Sequence, residues 1–151
     1  MDIYSKGPYP SSALSNFAGH GFEVDGVRCG SMEGFLQSLK FSNREMQEHV
    51  CTLTGYRAKM KGKGKNWQER QVLWWQGQPV PRDSQEYQDL LDKAYFALAK
   101  NPGFKKALLL TGTSNLTHRM GGKKKNETVL TEQEFCSRLM RVRDMIRNGE
   151  I

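Results

Sequence analysis

The segment from residue 14 to residue 41 constrains the fold more than any other part of the chain, because a hairpin signal leads directly into a helix signal. Weak alternation around Asp25-Gly26 predicts a two-residue β-hairpin over residues 22–29. Ser31 is a residue type that commonly caps a helix N-terminus. The helix that follows has an apolar stripe with the spacing i, i+3, i+4 and i+7, formed by Met32, Phe35, Leu36 and Leu39.

Glu33 is the candidate catalytic residue of this helix. It lies with Gln37 and Lys40 on the flank of the apolar stripe, where a side chain is half desolvated. A carboxylate in that environment can be tuned for chemistry. An acid in the first turn of a helix is, however, also favoured by the helix macrodipole without any function. The residue pattern alone leaves both interpretations open.

The rest of the chain predicts helices joined by short turns. A short helix is expected over residues 44–53, ended by Gly55. The apolar run at residues 67–75 can begin or flank another helix, and the proline-containing residues 77–84 are expected to be a connection.

Stronger helix signals follow in the second half of the chain. One helix is expected to start near Asp83 or Ser84 and to stop at residues 101–103, and a second short helix is expected over residues 104–110. Thr131 and Glu134 form a capping box at the start of the last helix. Together these signals predict an α+β fold, a helix-rich domain with a small N-terminal β-hairpin that spans residues 1–151.

Composition narrows the function classes. Three cysteines without a C-x-x-C pair, and no secretory segment, favour a cytoplasmic protein. The three scattered histidines predict no metal site, and no apolar run approaches the ~20 residues that a membrane span needs. The phosphate-loop and dinucleotide-binding glycine signatures are absent, which argues against a nucleoside triphosphatase and a Rossmann dehydrogenase. No cofactor is expected.

The formal charge of +7 comes mainly from two glycine-flanked basic clusters, at residues 57–65 and 123–125. Such runs are expected to form exposed loops whose amides and ammonium groups can receive an anion. The clusters therefore have two equally open interpretations. They contact a phosphorylated ligand or a nucleic acid, or they are solvated loops that bind no ligand.

The aromatic residues divide into core and candidate ligand contacts. Tyr87 and Tyr95 lie on a helical stripe and are expected in the core, and Trp74 and Trp75 are also expected to be buried. Phe17 stands in a Ser-Asn loop, where stacking against a flat heterocycle competes with loop anchoring. For Trp67, base stacking and core filling remain equally open.

Beyond these patterns, the chain resembles the NADAR (YbiA-like) family over nearly its full length. Trp67 follows a basic run as the family's Trp does, and Asn101-Pro102 with Leu108–Gly112 is similar to the family's NP…LL.TG block. Residues 139–146 resemble its closing helix. The most specific block is the N-terminal one, in which nine residues stand in the order and spacing seen in the family: Ser15, Asn16, Phe17, Phe22, Gly26, Glu33, Gln37, Lys40 and Phe41.

The chain departs from the family pattern at three places. The aromatic residue usually found before the Glu-containing helix is replaced around Arg28, and Gly34 stands where a His often follows the Glu. The family's Asp and Trp-Gly segment near the C-terminus is replaced by residues 117–128. These differences concern the substrate more than the fold.

The resemblance implies hydrolysis of an N-glycosidic bond. Its expected substrate is a phosphorylated ribosyl metabolite of the riboflavin pathway or an ADP-ribosylated base, free or in nucleic acid. Glu33 would be catalytic. The implied substrate-binding residues are Asn16, Phe17, Gln37, Lys40, Trp67, Gly112 and His118.

Two other readings remain open at this point. One is a non-catalytic module that binds ADP-ribose or nucleic acid, and the other is a basic accessory protein in which Glu33 is structural. A second acid for an O-glycosidase pair is not evident, and Glu23, Glu127 and Glu132 are candidates only by default.

Overall fold

A computed structural model describes residues 1–151 and contains seven helices and two antiparallel hairpins. The elements in chain order are α1 (Ser11–Leu14), β1 (Phe22–Val24), β2 (Val27–Cys29), α2 (Met32–Ser38), α3 (Arg44–Cys51), α4 (Gly55–Gly62), β3 (Val72–Trp75), β4 (Gln78–Pro81), α5 (Gln85–Leu98), α6 (Pro102–Leu110) and α7 (Glu132–Arg147). The predicted helix-rich α+β class is confirmed.

The first hairpin and the helix after it form as the sequence predicts. Asp25 and Gly26 both have positive φ, at 50° and 81°, as the turn between two directly paired strands requires. The Ser31 side chain accepts a hydrogen bond from the Gly34 amide at 3.0 Å and so caps α2. The start of α2 is thereby fixed directly after the hairpin.

The second hairpin corrects two expectations. Residues 72–75 form strand β3, where a helix was anticipated, and they pair with β4 in the segment expected to be a connection. The turn between them has positive φ at Gln76 and Gly77. The two prolines of β4 fit because a two-stranded sheet has only edge strands, where a missing amide donor is tolerated.

Helix α4 corrects a third expectation, since most of the first basic cluster is helical. The chain leaves α3 at Cys51 and enters α4 at Gly55, whose φ of 52° favours glycine. Residues 57–62 therefore lie in a helix, and only residues 63–65 follow it as an exposed segment.

Helices α5 and α7 begin at their predicted caps, whereas α6 begins at Pro102, inside the segment that was expected only to end α5. The Ser84 side chain caps α5, Asn101 caps α6 ahead of Pro102, and Thr131 with Glu134 forms the predicted capping box of α7. Tyr87 and Tyr95 are fully buried, as predicted. None of the helices combines the length and the apolar character that crossing a membrane requires.

A buried ion pair joins β4 to the start of α7. The guanidinium of Arg82, with no exposed surface, contacts both carboxylate oxygens of Glu134 at 2.6 and 3.1 Å. Arg82 also donates to the Thr128 carbonyl at 3.0 Å, and Gln88 donates to Glu134 at 2.7 Å. These bonds fix the segment that leads into α7.

The hydrogen bonds to Glu134 set its charge state. Burial alone would raise the pKa of Glu134, but the donors Arg82, Gln88 and the Thr131 amide outweigh burial and lower the pKa to about 2. A carboxyl with a lowered folded pKa contributes stability that is complete above the unfolded value of ~4.3 and is lost as the pH falls toward 2.

We expect Glu134→Gln to lower the free energy of unfolding at pH 7 by about 3–5 kcal/mol, because it leaves the Arg82 charge buried without a counter-charge. Urea unfolding at pH 7 and at pH 3 measures this change, and the loss should be smaller at pH 3. The exposed Glu86→Gln is the matched control. An equal loss at both pH values would contradict the ionic origin of the stability.

Candidate active site

Glu33 lies in the first turn of α2 and its backbone is fixed to the preceding loop. The Glu33 amide donates to the Asn16 carbonyl at 2.9 Å. The Ser31 hydroxyl, besides capping the helix, donates to the Leu53 carbonyl at 2.9 Å. The loop at residue 16, the start of α2 and the end of α3 are therefore held together around the carboxylate.

Glu33 opens into a cleft of about 230 Å³, which we call the Glu33 cleft. One wall is α2, and the facing wall is the segment from residue 118 to residue 130. Six of the residues expected to form the site line this cleft: Asn16, Glu33, Gln37, Lys40, Trp67 and His118.

Close packing of α2 explains why two glycines flank the site. A Cβ at Gly34 would lie 2.5 Å from the Leu53 carbonyl oxygen, so no side chain fits where the NADAR pattern often has His. A Cβ at Gly62 would collide with the side-chain oxygen of Gln37. Helices α3 and α4 therefore approach α2 at positions that lack side chains, and α4 brings the charge of Lys59 near Glu33.

The surroundings of Glu33 change its acidity. Burial raises the pKa of the Glu33 carboxyl above its ordinary value. A hydrogen bond from Gln37 Nε2, at 3.5 Å, opposes this rise. The positive charges of Lys40, Lys59 and His118 also oppose it. The result is a carboxyl whose pKa is shifted toward the range useful for general base catalysis.

Lys40, two residues after the end of α2, is a cation that faces the same cleft. Burial lowers the pKa of its ammonium group, and the charge of Glu33 opposes that shift. Its Nζ lies 3.4 Å from the Gly62 carbonyl oxygen. Lys40 is therefore held between α2 and the end of α4, beside Glu33.

Asn16 is oriented by a buried tyrosine. The Tyr95 hydroxyl donates to Asn16 Oδ1 at 2.8 Å, and Tyr95 itself is only 1% exposed. Since the oxygen of the amide is occupied, the Asn16 NH₂ group remains as the donor available to the cleft.

His118 is fixed on the opposite wall. Its Nδ1 lies 2.6 Å from the Ile3 carbonyl oxygen, which can only accept, so Nδ1 carries a proton and Nε2 is the atom left for a ligand. Its ring packs edge-on against Phe135 with centroids 5.4 Å apart. The His118 amide also donates to Glu132 at 2.7 Å.

The replaced segment, residues 117–128, builds much of this wall. Gly121, Gly122, Glu127 and Thr128 line the cleft, and the sequence did not single out the glycines or the threonine. Their signal was the departure from the family pattern at these residues. Of the three acids considered by default, Glu127 lines the cleft, whereas Glu132 holds the His118 amide and Glu23 lies on the exposed face of β1.

Lys123 bonds to other residues of the same wall. Its Nζ donates to the Arg119 and Gly121 carbonyls at 3.0 and 2.9 Å and contacts Glu132 at 2.8 Å. Within the second basic cluster, Lys125 contacts Asp83 at 3.8 Å, which leaves Lys124 as the lysine without an ion pair.

Two of the expected site residues lie away from the cleft. Phe17 does not line it, and its backbone and ring face Gly55 at the start of α4. Gly112 follows α6 with a φ of 62°, and its carbonyl accepts a hydrogen bond from Arg147. Trp67 lines the cleft yet is only 5% exposed and belongs to the core, so core filling is confirmed and base stacking stays a prediction.

We expect the stability difference between Glu33→Gln and the wild type to depend on pH in a defined direction. A raised folded pKa means that ionisation of Glu33 destabilises the fold as the pH rises above the unfolded value of ~4.3. The melting temperature of Glu33→Gln relative to wild type should therefore be higher at pH 7.5 than at pH 4.

Thermal unfolding of both proteins at these two pH values measures this difference, with Glu23→Gln on the exposed hairpin as the control. A fall in the melting temperature at pH 7.5 for Glu33→Gln alone would identify Glu33 as an acid that stabilises the helix dipole.

Comparison with known proteins gives a family and a fold. Residues 8–144 match the family described as bacteriophage protein GP30.3. An uncharacterized 17.1 kDa protein encoded in the Gp30-rIII intergenic region of Enterobacteria phage T4 is 39% identical over 149 residues, which are 97% of this chain and 98% of that protein.

The structure is also similar to the NMR structure of the E. coli protein YbiA. The TM-score is 0.62 with 17% sequence identity, and the alignment covers 99% of this chain and 86% of YbiA. The fold is therefore YbiA-like, as the sequence predicted.

Proposed function

The chain belongs to the bacteriophage protein GP30.3 family, and we propose that it is a NADAR-type N-glycosidase. Its substrate would be a ribosyl compound with a C–N bond, either a phosphorylated metabolite of the riboflavin pathway or an ADP-ribosylated base, free or in nucleic acid. The observation that carries the proposal is the half-buried Glu33, with its raised pKa, in a cleft that also contains donors and an aromatic wall.

The proposed reaction breaks the bond between ribosyl C1 and the base nitrogen. Positive charge develops on C1 as the bond breaks, and the carboxylate of Glu33 stabilises it. A water molecule bonds to C1 and gives a proton to Glu33, while the base leaves with the bonding electron pair and takes up a proton from solvent water at its departing nitrogen. Glu33 then returns its proton to solvent. A second acid is not required when hydrogen bonds stabilise the leaving base.

The other cleft residues have roles that follow from their positions. Asn16 offers its NH₂ group and His118 offers Nε2, so both can hydrogen-bond the ribose or the base. Trp67 provides a flat apolar wall for the base. Gln37 orients Glu33, and Lys40 provides positive charge for a phosphate. Phe17 and Gly112 would contribute only through the surrounding loops.

We expect the protein to release the base from at least one compound of a panel, and mass spectrometry detects the released base. The panel consists of phosphorylated riboflavin intermediates, NAD, and ADP-ribosylated guanine in nucleoside and DNA form. Glu33→Gln should reduce kcat at least ~100-fold while ligand affinity changes little, because the amide keeps the shape and loses the charge. Glu23→Gln should retain full activity. Base release that persists in Glu33→Gln would exclude Glu33 as the catalytic group.

The basic surface favours a second candidate function, a non-catalytic module for ADP-ribose or nucleic acid. Lys61, Lys63 and Lys65 are exposed at the end of α4 and after it. A nucleic-acid module would bind unmodified DNA with an affinity that falls steeply with salt, with a slope of about −0.9 per phosphate contact. For the enzyme, neutralising these lysines should raise KM while binding to unmodified DNA stays weak throughout.

A further inference from the structure

A second groove, of about 460 Å³, adjoins the Glu33 cleft. Lys40 and Trp67 line both spaces, so they form the ridge between them. We call this space the Trp74 groove. It lies on the side of the ridge away from Glu33 and residues 118–130. Apart from the two ridge residues, only Lys65, in the first basic cluster, was expected to contact a ligand.

The floor of the Trp74 groove is the outer face of the β3–β4 hairpin. Leu73 and Trp75 point into the core with at most 8% exposure, whereas the alternate residues Val72 and Trp74 are half-buried and line the groove. Trp74 lies opposite Pro79 in the strand pairing. The floor is therefore a flat apolar surface with an indole ring at its centre.

Hydrogen bonds on both sides of its backbone hold Trp74 in place. Its amide donates to the Leu39 carbonyl at the end of α2, at 2.8 Å. Its carbonyl accepts from the buried Gln47 at 2.7 Å. The backbone that carries the indole ring is thus tied to the end of α2, the helix that carries Glu33, and to Gln47 of α3.

The walls of the Trp74 groove carry three cations and no carboxylate: Lys40, Lys65 and Arg70. None of them takes part in the ion pairs of the protein. Lys65 lines the groove, and its Nζ also lies 4.8 Å from the centroid of the neighbouring Phe41 ring. Lys40 is close to Glu33 across the ridge, whereas the charges of Lys65 and Arg70 have no carboxylate partner in the protein.

We infer that the Trp74 groove binds a nucleoside phosphate, with the base stacked on Trp74 and Pro79 and the phosphate held by Lys65 and Arg70. A flat heterocycle matches the apolar floor, and a phosphate matches cations that lack a protein partner. The groove and the Glu33 cleft meet at Lys40, so one ligand can occupy both.

This inference rests on the proposed function in one respect, namely that the ribosyl group lies in the Glu33 cleft. It then identifies the substrate class as one in which a second nucleotide unit is joined to that ribosyl group through phosphate. The second unit is either the nucleoside arm of a diphosphate-linked ligand or the neighbouring nucleotide of a strand.

AMP and ribose 5-phosphate test the groove, because they differ only in the base. In ¹⁵N-labelled wild-type protein, AMP should shift the Trp74 indole N–H signal and the Arg70 amide signal, and ribose 5-phosphate should leave the Trp74 indole signal unchanged. Trp74→Leu should weaken AMP binding roughly 5- to 150-fold, as expected for loss of base stacking.

Arg70→Gln, at an exposed position, should also weaken AMP binding, and it tests the groove if Trp74→Leu does not fold. Lys106→Gln removes an equal charge on the exposed face of α6 and should have no effect. Equal affinities of AMP and ribose 5-phosphate, with neither affinity changed in Arg70→Gln, would overturn the inference.

ADP-ribose and a thymidine trinucleotide distinguish the two sources of the second nucleotide unit. Tighter binding of ADP-ribose than of AMP, lost in Arg70→Gln, identifies a diphosphate-linked arm, and tighter binding of the trinucleotide identifies a strand. No gain for either ligand would overturn the link between groove and cleft.

The inference and the proposed function can fail separately. AMP binding that depends on Arg70, without base release from any compound of the panel, would reject only the enzyme. Base release with an unchanged KM in Arg70→Gln would reject only the groove.

Discussion

The close contact of α2 with its two neighbouring helices is the constraint on which the rest of the site depends. Gly34 admits the carbonyls at the end of α3, and Gly62 admits the side chain of Gln37. A side chain at either position would push the helices apart. Because the helices lie close together, Glu33 is half desolvated, and Lys59 of α4 is near enough to oppose part of the rise in its pKa. Packing and acidity therefore have one origin.

The opposite wall is rigid for a different reason. The Arg82–Glu134 pair and the Arg82 bond to Thr128 fix the segment before α7. In the loop after His118, the Lys123 ammonium group donates hydrogen bonds to backbone carbonyls of the same loop. Fixed donors and a fixed carboxylate need little reorganisation when charge develops on a bound ribosyl group. Ionisation of the half-buried Glu33 lowers the stability of the fold, whereas ionisation of Glu134 in its buried ion pair raises it.

Sequence reasoning succeeded where one local interaction determines the structure. The Ser31 and Ser84 caps and the Asp25-Gly26 turn depend only on near neighbours. It failed at β3 and β4, because a short apolar run does not distinguish a strand from a helix and because prolines are tolerated at a sheet edge. In the site, Asn16 belongs to the family pattern and lines the cleft, and His118 lines it although it lies in the segment that departs from that pattern. Phe17 is next to Asn16 in sequence but faces Gly55 instead of the cleft. The wall at residues 121–128 could not be predicted, since only the fold brings it opposite α2.

The most direct test of this account is whether the ribosyl phosphate shared by all the proposed substrates binds against Glu33. Amide chemical shifts of ¹⁵N-labelled protein, recorded during titration with ribose 5-phosphate, locate it without any assumption about the base. The account predicts that the largest shifts occur at residues 33–40 and 117–122, with none in α6. Largest shifts outside the Glu33 cleft, or no shifts at millimolar ribose 5-phosphate, would contradict it.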